Sequence, residues 1–297
     1  KVSLPGGCAI GTRPVDLHIN ALKKMGAKIN ILDGYIYASV KNGLKGAKIK
    51  FPKISVGATE NLLIASAYAK GRSVLSNCAN EPEIKDLCNF LNKAGCKIKW
   101  VSKRKIVIDG VRKLKKVNHK VMFDRIEAGT YMIAAGATQG RITIKKIDPK
   151  VIKKEILVLK KIGIKITVKK DRITVVGSKN LKKININTAP YPGYPTDLQA
   201  QLMVLLCFAK GKSTIVEKIF ENRFMHVSEL IRMGADISVS GRKATIKGIK
   251  KLHGAELMAT DIRASVSLII AGLTAEKKTI INRIYHLDRG YEDIESK

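Results

Sequence analysis

A repeated α/β architecture, with apolar helices enclosed by sheets, is what the sequence predicts. Three observations carry that expectation: a helix–glycine–strand pattern recurs four times, a second and more apolar helix alternates with it, and the segments after both are β-branched and alternating. The first pattern reads NALKKMGAKINILDGYIYASV, CNFLNKAGCKIKWVSKRKIVIDGV, ILVLKKIGIKITVKKDRITVVG and SELIRMGADISVSGRKATIKGI. Each copy is a short amphipathic helix that ends at a glycine (Gly26, Gly95, Gly163, Gly234), where a positive φ closes a helix C-terminus. Two alternating strands around a polar turn follow. These glycines lie 69, 68 and 71 residues apart.

The second pattern reads ATENLLIASAYAKGRSVLSNC, RIEAGTYMIAAGATQGRITIKKI, DLQAQLMVLLCFAKGKSTIVEKI and DIRASVSLIIAGLTAEKKTIINRI. These alanine-rich helices are apolar almost all round, which predicts burial on every side. The unit is therefore about 70 residues, with two helices and three or four strands. A helical solenoid is the alternative. It leaves no place for an all-apolar helix, whereas sheets wrapped around helices do.

At 297 residues and 45% hydrophobic composition the chain can bury a large core in one or two domains. No apolar run approaches the ~18 residues of a membrane span; MVLLCF and SVSLIIAGLTA are too short. The first residues lack the apolar run and cleavage site of a signal peptide. Five cysteines, an odd number with no CxxC, argue against a disulfide scaffold or structural zinc and point to a reducing cytoplasm. The chain begins with Lys, and YEDIESK reads as the first turn of a helix that does not continue, so a fragment lacking both termini is expected.

The formal charge of +32 raises the question of nucleic acid. Lysine outnumbers arginine 43 to 13 and is spread along the chain, with modest clusters only at SKRK and RKLKK. There are 15 aromatic residues, no zinc-finger spacing and no RNP-like strand. No nucleic-acid partner is expected; a lysine-biased surface suits an anionic small substrate.

Several short stretches carry possible chemistry. In VSLPGGCAIGTRPVDLH, Cys8 follows two glycines and precedes Arg13. A lone cysteine is ordinarily a small buried hydrophobe, yet Gly6 and Gly7 give a loop freedom that a core position does not need, and a nearby arginine favours the thiolate. In YPGYPTDLQAQ a rigid turn delivers Thr196 and Asp197 to a helix start, where either serves as an N-cap. KISVGAT is a strand-to-helix turn, suited to a serine or threonine cap or to an anion site. Asp261 and Arg263 in ATDIRAS stand at i and i+2, off a common helical face, so a turn is implied.

VSLPGGCAIGTRPVDLH resembles the cysteine loop of the UDP-N-acetylglucosamine 1-carboxyvinyltransferases, the enolpyruvyl transferases that open peptidoglycan synthesis. SVGATEN, NEPEIKDL, DRIEAGTYMIAA, PYPGYPTDLQAQ, ENRFMHVSELIRMGA, MATDIRAS and RIYHLDRGYE resemble further family motifs, in family order and over the whole chain. The sister 5-enolpyruvylshikimate-3-phosphate synthases share fold and reaction type but not the cysteine loop or ENRFMHV. The resemblance implies a two-lobed inside-out α/β barrel (the enolpyruvyl transferase fold), three units per lobe, with the active site in the cleft between lobes. Residues 1–121 would be the later part of the first lobe and residues 122–297 most of the second. It also implies a cytoplasmic enzyme, expected to be a monomer, with no membrane partner, no metal and no other cofactor.

The implied reaction transfers the enolpyruvyl group of phosphoenolpyruvate to the 3-hydroxyl of UDP-N-acetylglucosamine and releases phosphate, by addition and then elimination. Such a path needs an acid, a base and cations for phosphate and carboxylate. By resemblance, Cys8 is the acid, the site of a covalent adduct with phosphoenolpyruvate and the residue alkylated by fosfomycin. Asp197 contacts and deprotonates the sugar hydroxyl. Arg289 and Arg13 hold phosphoenolpyruvate, with Arg223, Arg263 and Asp261 close by; planar guanidinium donors suit that grip. Arg13, Pro14, Val15, Asp16 and Leu17 would meet the uracil end. Lys53, Ser55, Val56 and Gly57 would meet the diphosphate, and Ile219 and Asn222 would complete the sugar pocket.

Glu81, Glu83, Asp124, Arg125 and Glu127 suit helix caps and salt bridges between lobes. Cys78, Cys88, Cys96 and Cys207 are left to packing, and His18 and His286 carry no assigned role. Asn80 stands where many relatives carry arginine. The family also uses a lysine and an asparagine near its N-terminus, and an arginine further on, in segments absent from this sequence. The chain by itself is therefore expected not to turn over.

Overall fold

The computed structural model describes residues 1–4, 6 and 14–297. The chain forms two compact units. Of the described residues, the first holds 1–4, 6, 14–122 and 190–192, and the second holds 123–189 and 193–297.

In the first unit, helices α1 (Asp16–Lys24), α2 (Val56–Ala67) and α3 (Pro82–Lys93) pack with a four-stranded sheet. Its strands lie in the order Lys48–Lys50, Arg72–Ser76, Lys105–Asp109, Lys97–Ser102. The first two run parallel on either side of α2; the other pairings are antiparallel. Alternation decides the inward faces: Ile106 and Ile108 are fully buried and meet Leu62, Leu63, Leu75 and Ile84 in one core. Proline at the first turn of α3 has no N–H to waste there, and Ile84, Cys88 and Leu91 then fall on one buried stripe.

The second unit contains α4 (Arg125–Ala137), α5 (Lys153–Ile162), α6 (Gln199–Leu206), α7 (Val227–Arg232) and α8 (Ile262–Thr274). Helices α4, α6 and α8 pack on one another and are covered by sheets. One sheet has the order Arg141–Lys145, Arg172–Val176, Lys165–Lys169. Another runs Asn185–Asn187, Lys212–Val216, Lys243–Lys247, Asp236–Ser240. This repeats the first unit's sheet strand for strand, with its parallel pair on either side of α6. Two further parallel strand pairs flank α8. Helices enclosed by sheets, not stacked helix pairs, are the architecture.

The expectation that the second-pattern helices are buried holds for α4, α6 and α8; every residue of α6 is buried. It fails for α2, which is covered on one side only. Ala58, Leu62, Leu63, Ser66 and Ala67 face the core while Ile64 and Tyr68 are each 56% exposed. Residues 291–297 form turns in place of a helical start. No helix among the described residues is long and apolar enough to cross a membrane.

The four repeat glycines have φ of +98°, +109°, +110° and +92°, so each helix of the first pattern ends in the left-handed region as its sequence predicts. A different constraint fixes Gly248. It follows the Lys243–Lys247 strand, and a Cβ there would press on the carbonyl oxygen of Ala209, just beyond α6. That obstacle is backbone and cannot swing aside. Gly248→Ala is therefore expected to destabilise the second unit by about 1–3 kcal/mol or more, measured as a lowered denaturation midpoint at unchanged slope.

Candidate active site

Three helix starts meet in the second unit. Asp124 caps α4, its Oδ1 accepting from Ile126 N (2.7 Å) and Glu127 N (3.0 Å). Asp261 caps α8, its Oδ1 accepting from Arg263 N (2.9 Å) and Ala264 N (3.1 Å). The i, i+2 pair of Asp261 and Arg263 thus straddles a helix boundary: aspartate just outside, arginine just inside. Helix α6 starts differently, after a 3-10 turn at Thr196–Leu198.

Neither Thr196 nor Asp197 makes the cap that the sequence allows. Asp197 Oδ1 instead accepts from Arg223 Nη2 at 2.9 Å and lies 3.5 Å from Arg263 Nε. The Thr196 hydroxyl donates to Glu217 Oε2 at 2.8 Å. Each side chain thus meets a charged partner, two guanidiniums for Asp197 and a carboxylate for Thr196, in place of the backbone N–H groups. Of the residues expected at the site, the structure brings Asp197, Arg223 and Arg263 into direct contact. Asp261 is buried beside them, and its charge reaches His226.

A buried polar network fixes this cluster. The Tyr291 hydroxyl lies 2.9 Å from Thr130 Oγ1 and accepts from Arg263 Nη1 at 3.2 Å. Gln201 Nε2 donates to Thr130 Oγ1 (3.2 Å) and to the Asp197 carbonyl (2.9 Å). Thr130, Gln201 and Arg263 come from α4, α6 and α8, so one hydroxyl ties the three helices together near their N-termini. Tyr291 also anchors the segment that carries Arg289, which stands exposed two residues earlier. The sequence reading passed over Thr130, Gln201 and Tyr291. The available signal was polar side chains placed on helices otherwise apolar all round.

Electrostatics follow from the cluster. Burial works to raise the Asp197 pKa, but Arg263 and Arg223, with Arg125 behind them, outweigh it and hold the carboxyl below its ordinary value of 3.8. Its side chain is still 40% exposed, against 5% for Arg223 and 18% for Arg263. The carboxylate is accessible while its cations are walled in. Ile219 is half-buried and Asn222 exposed in the loop that ends at Arg223.

The other predicted acids separate by role. Arg125 lies inside α4 and pairs with buried Glu155 at 3.7 Å; Glu127 pairs with Lys297 at 2.8 Å. Glu81 precedes α3 without capping it: its Oε1 accepts from Tyr191 N at 3.1 Å.

Cys8 and Arg13 lie outside the described residues. In the first unit, Pro14 and Asp16 are exposed, Val15 is half-buried, and the Leu17 side chain is turned into the core, so Leu17 offers a ligand only its main chain. Ser55 caps α2, its Oγ accepting from Ala58 N at 3.2 Å, which leaves the hydroxyl proton to donate outward. The first N–H groups of α2 have no partner within the helix, and Val56, Gly57 and Lys53 are exposed around them. A Cβ at Gly57 would only touch His18 at 3.7 Å; the protein's own packing does not require glycine there. Burial depresses the pKa of His18 against the opposing pull of Asp16. Cys78, Cys88, Cys96 and Cys207 are buried and unbridged, and burial pushes the Cys78 and Cys207 thiols up to about 12. They are inert packing residues. Among the described residues no group of His, Cys, Asp and Glu is arranged to hold a metal ion.

His226 is buried beside this cluster with no hydrogen-bond partner at Nε2. Burial lowers its pKa from 6.5 to about 4; Asp261 opposes the shift and Arg223 adds to it. The folded protein therefore holds His226 neutral where the unfolded chain protonates it. Its contribution to stability is complete above pH 6.5, shrinks as pH falls, and is lost on passing about 4. Wild-type unfolding free energy is expected to fall by up to about 1.4 kcal/mol per pH unit from this one proton, and His226→Gln to lose that share of the slope in denaturant titrations between pH 6.5 and 4.

Comparisons with known proteins give the family and the fold. The family described as EPSP synthase (3-phosphoshikimate 1-carboxyvinyltransferase) matches residues 1–297. A UDP-N-acetylglucosamine 1-carboxyvinyltransferase of Pelagibacter ubique (strain HTCC1062) is 65% identical over 297 residues, covering 100% of this chain and 71% of the relative. One from Endomicrobium trichonymphae is 52% identical with the same coverage. Among solved structures, the enolpyruvyl transferase NikO from Streptomyces tendae superposes with a TM-score of 0.88 at 25% identity, over 98% of this chain and 72% of its own. EPSP synthase from Acinetobacter baumannii superposes with a TM-score of 0.73 at 20% identity, over 97% of this chain and 70% of its own, a likeness of fold alone. With this fold and these identities, the chain belongs to the UDP-N-acetylglucosamine 1-carboxyvinyltransferase family of enolpyruvyl transferases.

Proposed function

We propose that this chain forms the larger part of an enzyme that carries out the enolpyruvyl transfer of its family, moving the group from phosphoenolpyruvate to the 3-hydroxyl of UDP-N-acetylglucosamine with release of phosphate, the first committed step of peptidoglycan synthesis. The observation that supports it best is an accessible Asp197 carboxylate set between the buried guanidiniums of Arg223 and Arg263. A carboxylate facing solvent with fixed cations behind it suits a reaction that joins a sugar hydroxyl to a doubly anionic substrate.

In the addition step the sugar oxygen attacks C2 of phosphoenolpyruvate. Asp197 takes the hydroxyl proton, and Cys8 supplies a proton to C3. In the elimination step C3 loses a proton and the C2–O bond to phosphate breaks, leaving the enol ether. Arg223, Arg263, Arg289 and Arg13 hold the phosphate and carboxylate as charge shifts between them. The resting ion pairs make Asp197 a weak base. An anionic substrate bound to the same guanidiniums offsets their charge where they stand and raises the basicity of Asp197 as the hydroxyl arrives.

The first unit carries groups that suit a sugar nucleotide. The free N–H groups at the start of α2, the Ser55 hydroxyl and Lys53 fit a diphosphate, and residues 14–17 fit the uracil. Reduced, unbridged cysteines suit the cytoplasm, and we read the enzyme there as a monomer.

Phosphate release from phosphoenolpyruvate and UDP-N-acetylglucosamine, measured in protein that also carries the family's N-terminal segments, tests the reading. Asp197→Asn is expected to lower kcat by about 10²–10⁴-fold with a smaller change in KM. Intact-mass and peptide mapping after fosfomycin, with and without the sugar nucleotide, is expected to give a sugar-dependent adduct on Cys8 that Cys8→Ser abolishes. Sugar-independent labelling, or labelling spread over other cysteines, would remove Cys8 as the acid.

A further inference from the structure

The Glu217 carboxylate is 1% exposed, and among the described residues no cation lies within ion-pair distance of it. Four donors converge on it instead. Thr188 Oγ1 (2.8 Å), Ile219 N (2.7 Å) and Phe220 N (3.2 Å) donate to Oε1, and Thr196 Oγ1 (2.8 Å) donates to Oε2. Three donors crowd Oε1 and one meets Oε2, so both oxygens of the carboxylate are bonded without a counter-charge. Burying it would be costly without those bonds.

The donors are the parts of the proposed sugar site. Thr188 ends the Asn185–Asn187 strand and itself accepts from Lys218 N at 2.9 Å. Thr196 immediately precedes Asp197. Ile219 and Phe220 open the loop that leads to Asn222 and Arg223. That loop closes on itself where Arg223 Nη2 meets Asp197 Oδ1 at 2.9 Å, with the Phe220 ring 5.1 Å from the guanidinium. Residues 217–223 and 196–197 therefore form a ring closed at two points, Glu217 with Thr196 and Arg223 with Asp197. Freeing one closure lets the other drift.

We propose that Glu217 is a positioning residue, holding the Asp197 carboxylate in register with the 219–223 loop that meets the sugar. The proposal rests on the reading of Asp197 as the hydroxyl-binding carboxylate. Its role is geometric: it touches no substrate, and it sets the distance between the groups that do. Two oxygens are needed to span turn and loop, which a hydroxyl side chain cannot do.

The test compares Thr196→Val, Glu217→Ala and Glu217→Gln, with Asp197→Asn as reference, in protein that also carries the family's N-terminal segments. Thr196→Val removes one closure at nearly constant volume. It is expected to lower kcat about tenfold, with KM for phosphoenolpyruvate within about twofold. Glu217→Ala, which also releases Ile219 and Phe220, is expected to raise KM for UDP-N-acetylglucosamine about tenfold as well. Glu217→Gln keeps three acceptor contacts on its oxygen and donates from its amide to the Thr196 hydroxyl. It is expected to recover to within about threefold of wild type. Independently of turnover, the Arg223 side-chain NMR resonances in Thr196→Val should move toward their positions in Asp197→Asn. Wild-type kcat per folded molecule and unmoved Arg223 resonances in Thr196→Val would overturn the proposal, leaving Glu217 a stabilising residue only. That variant decides the matter even if Glu217→Ala fails to fold. Wild-type turnover by Asp197→Asn would instead overturn the role of Asp197, and the Arg223 resonances would still judge Glu217.

Discussion

A helix buried on every side must still find partners for the N–H groups of its first turn. The second unit faces that constraint at α4, α6 and α8 together. All three are closely packed, and the Tyr291 hydroxyl, shared with Thr130 and Arg263 and next to Gln201, holds their N-terminal ends at one place. Aspartates answer the demand at α4 and α8. At α6 the chain enters through a 3-10 turn, and its aspartate is left for another use. The site is thus a by-product of burying apolar helices: their polar ends collect, and the collection point is where anions and carboxylates can be handled.

The arginines complete that logic. Arg223 is nearly buried and Arg263 mostly so, each held by a carboxylate, and Arg263 by Tyr291 as well. Fixed cations backed by low-dielectric packing need little reorganisation when an anion arrives, which is where such groups act most strongly. The lysines, by contrast, are mostly solvated and scattered. They raise the field around the whole molecule and favour the approach of anionic small molecules.

Much of the fold was legible because its causes are local. A glycine that must adopt positive φ, and a helix with no polar face, announce themselves in any sequence. The half-exposed face of α2 was not legible, since ATENLLIASA carries the same composition as the buried copies and only tertiary covering distinguishes them. At the site, Arg223, Arg263 and Asp197 were found through family motifs, not residue chemistry. Taken alone, Asp197 reads as a cap because a short acid before a helix looks the same whether it bonds N–H groups or a distant guanidinium. Glu217 did leave a trace. Ser213 and Ile215 face inward along the Lys212–Val216 strand, and Glu217 continues their phase, so an acid stands where alternation calls for core.

The two units also use one topological element for two kinds of chemistry. In each, a short strand leads into a second-pattern helix that crosses to a parallel neighbour, and the helix start is the position that varies. At α2 the cap is a neutral serine, and the residues after it are exposed and small, so the backbone N–H groups and the positive end of the helix dipole face outward. At α6 the start carries a carboxylate that would be repelled by phosphate but is turned to two arginines. One start leaves its first N–H groups facing outward, and the other carries its own negative charge and neutralises it in advance. Duplication fixed the scaffold, and a few residues at a helix boundary decided which sign of charge each copy presents. Chemistry at such a site is therefore sought where strand meets helix, and the apolar runs on either side hold that boundary still.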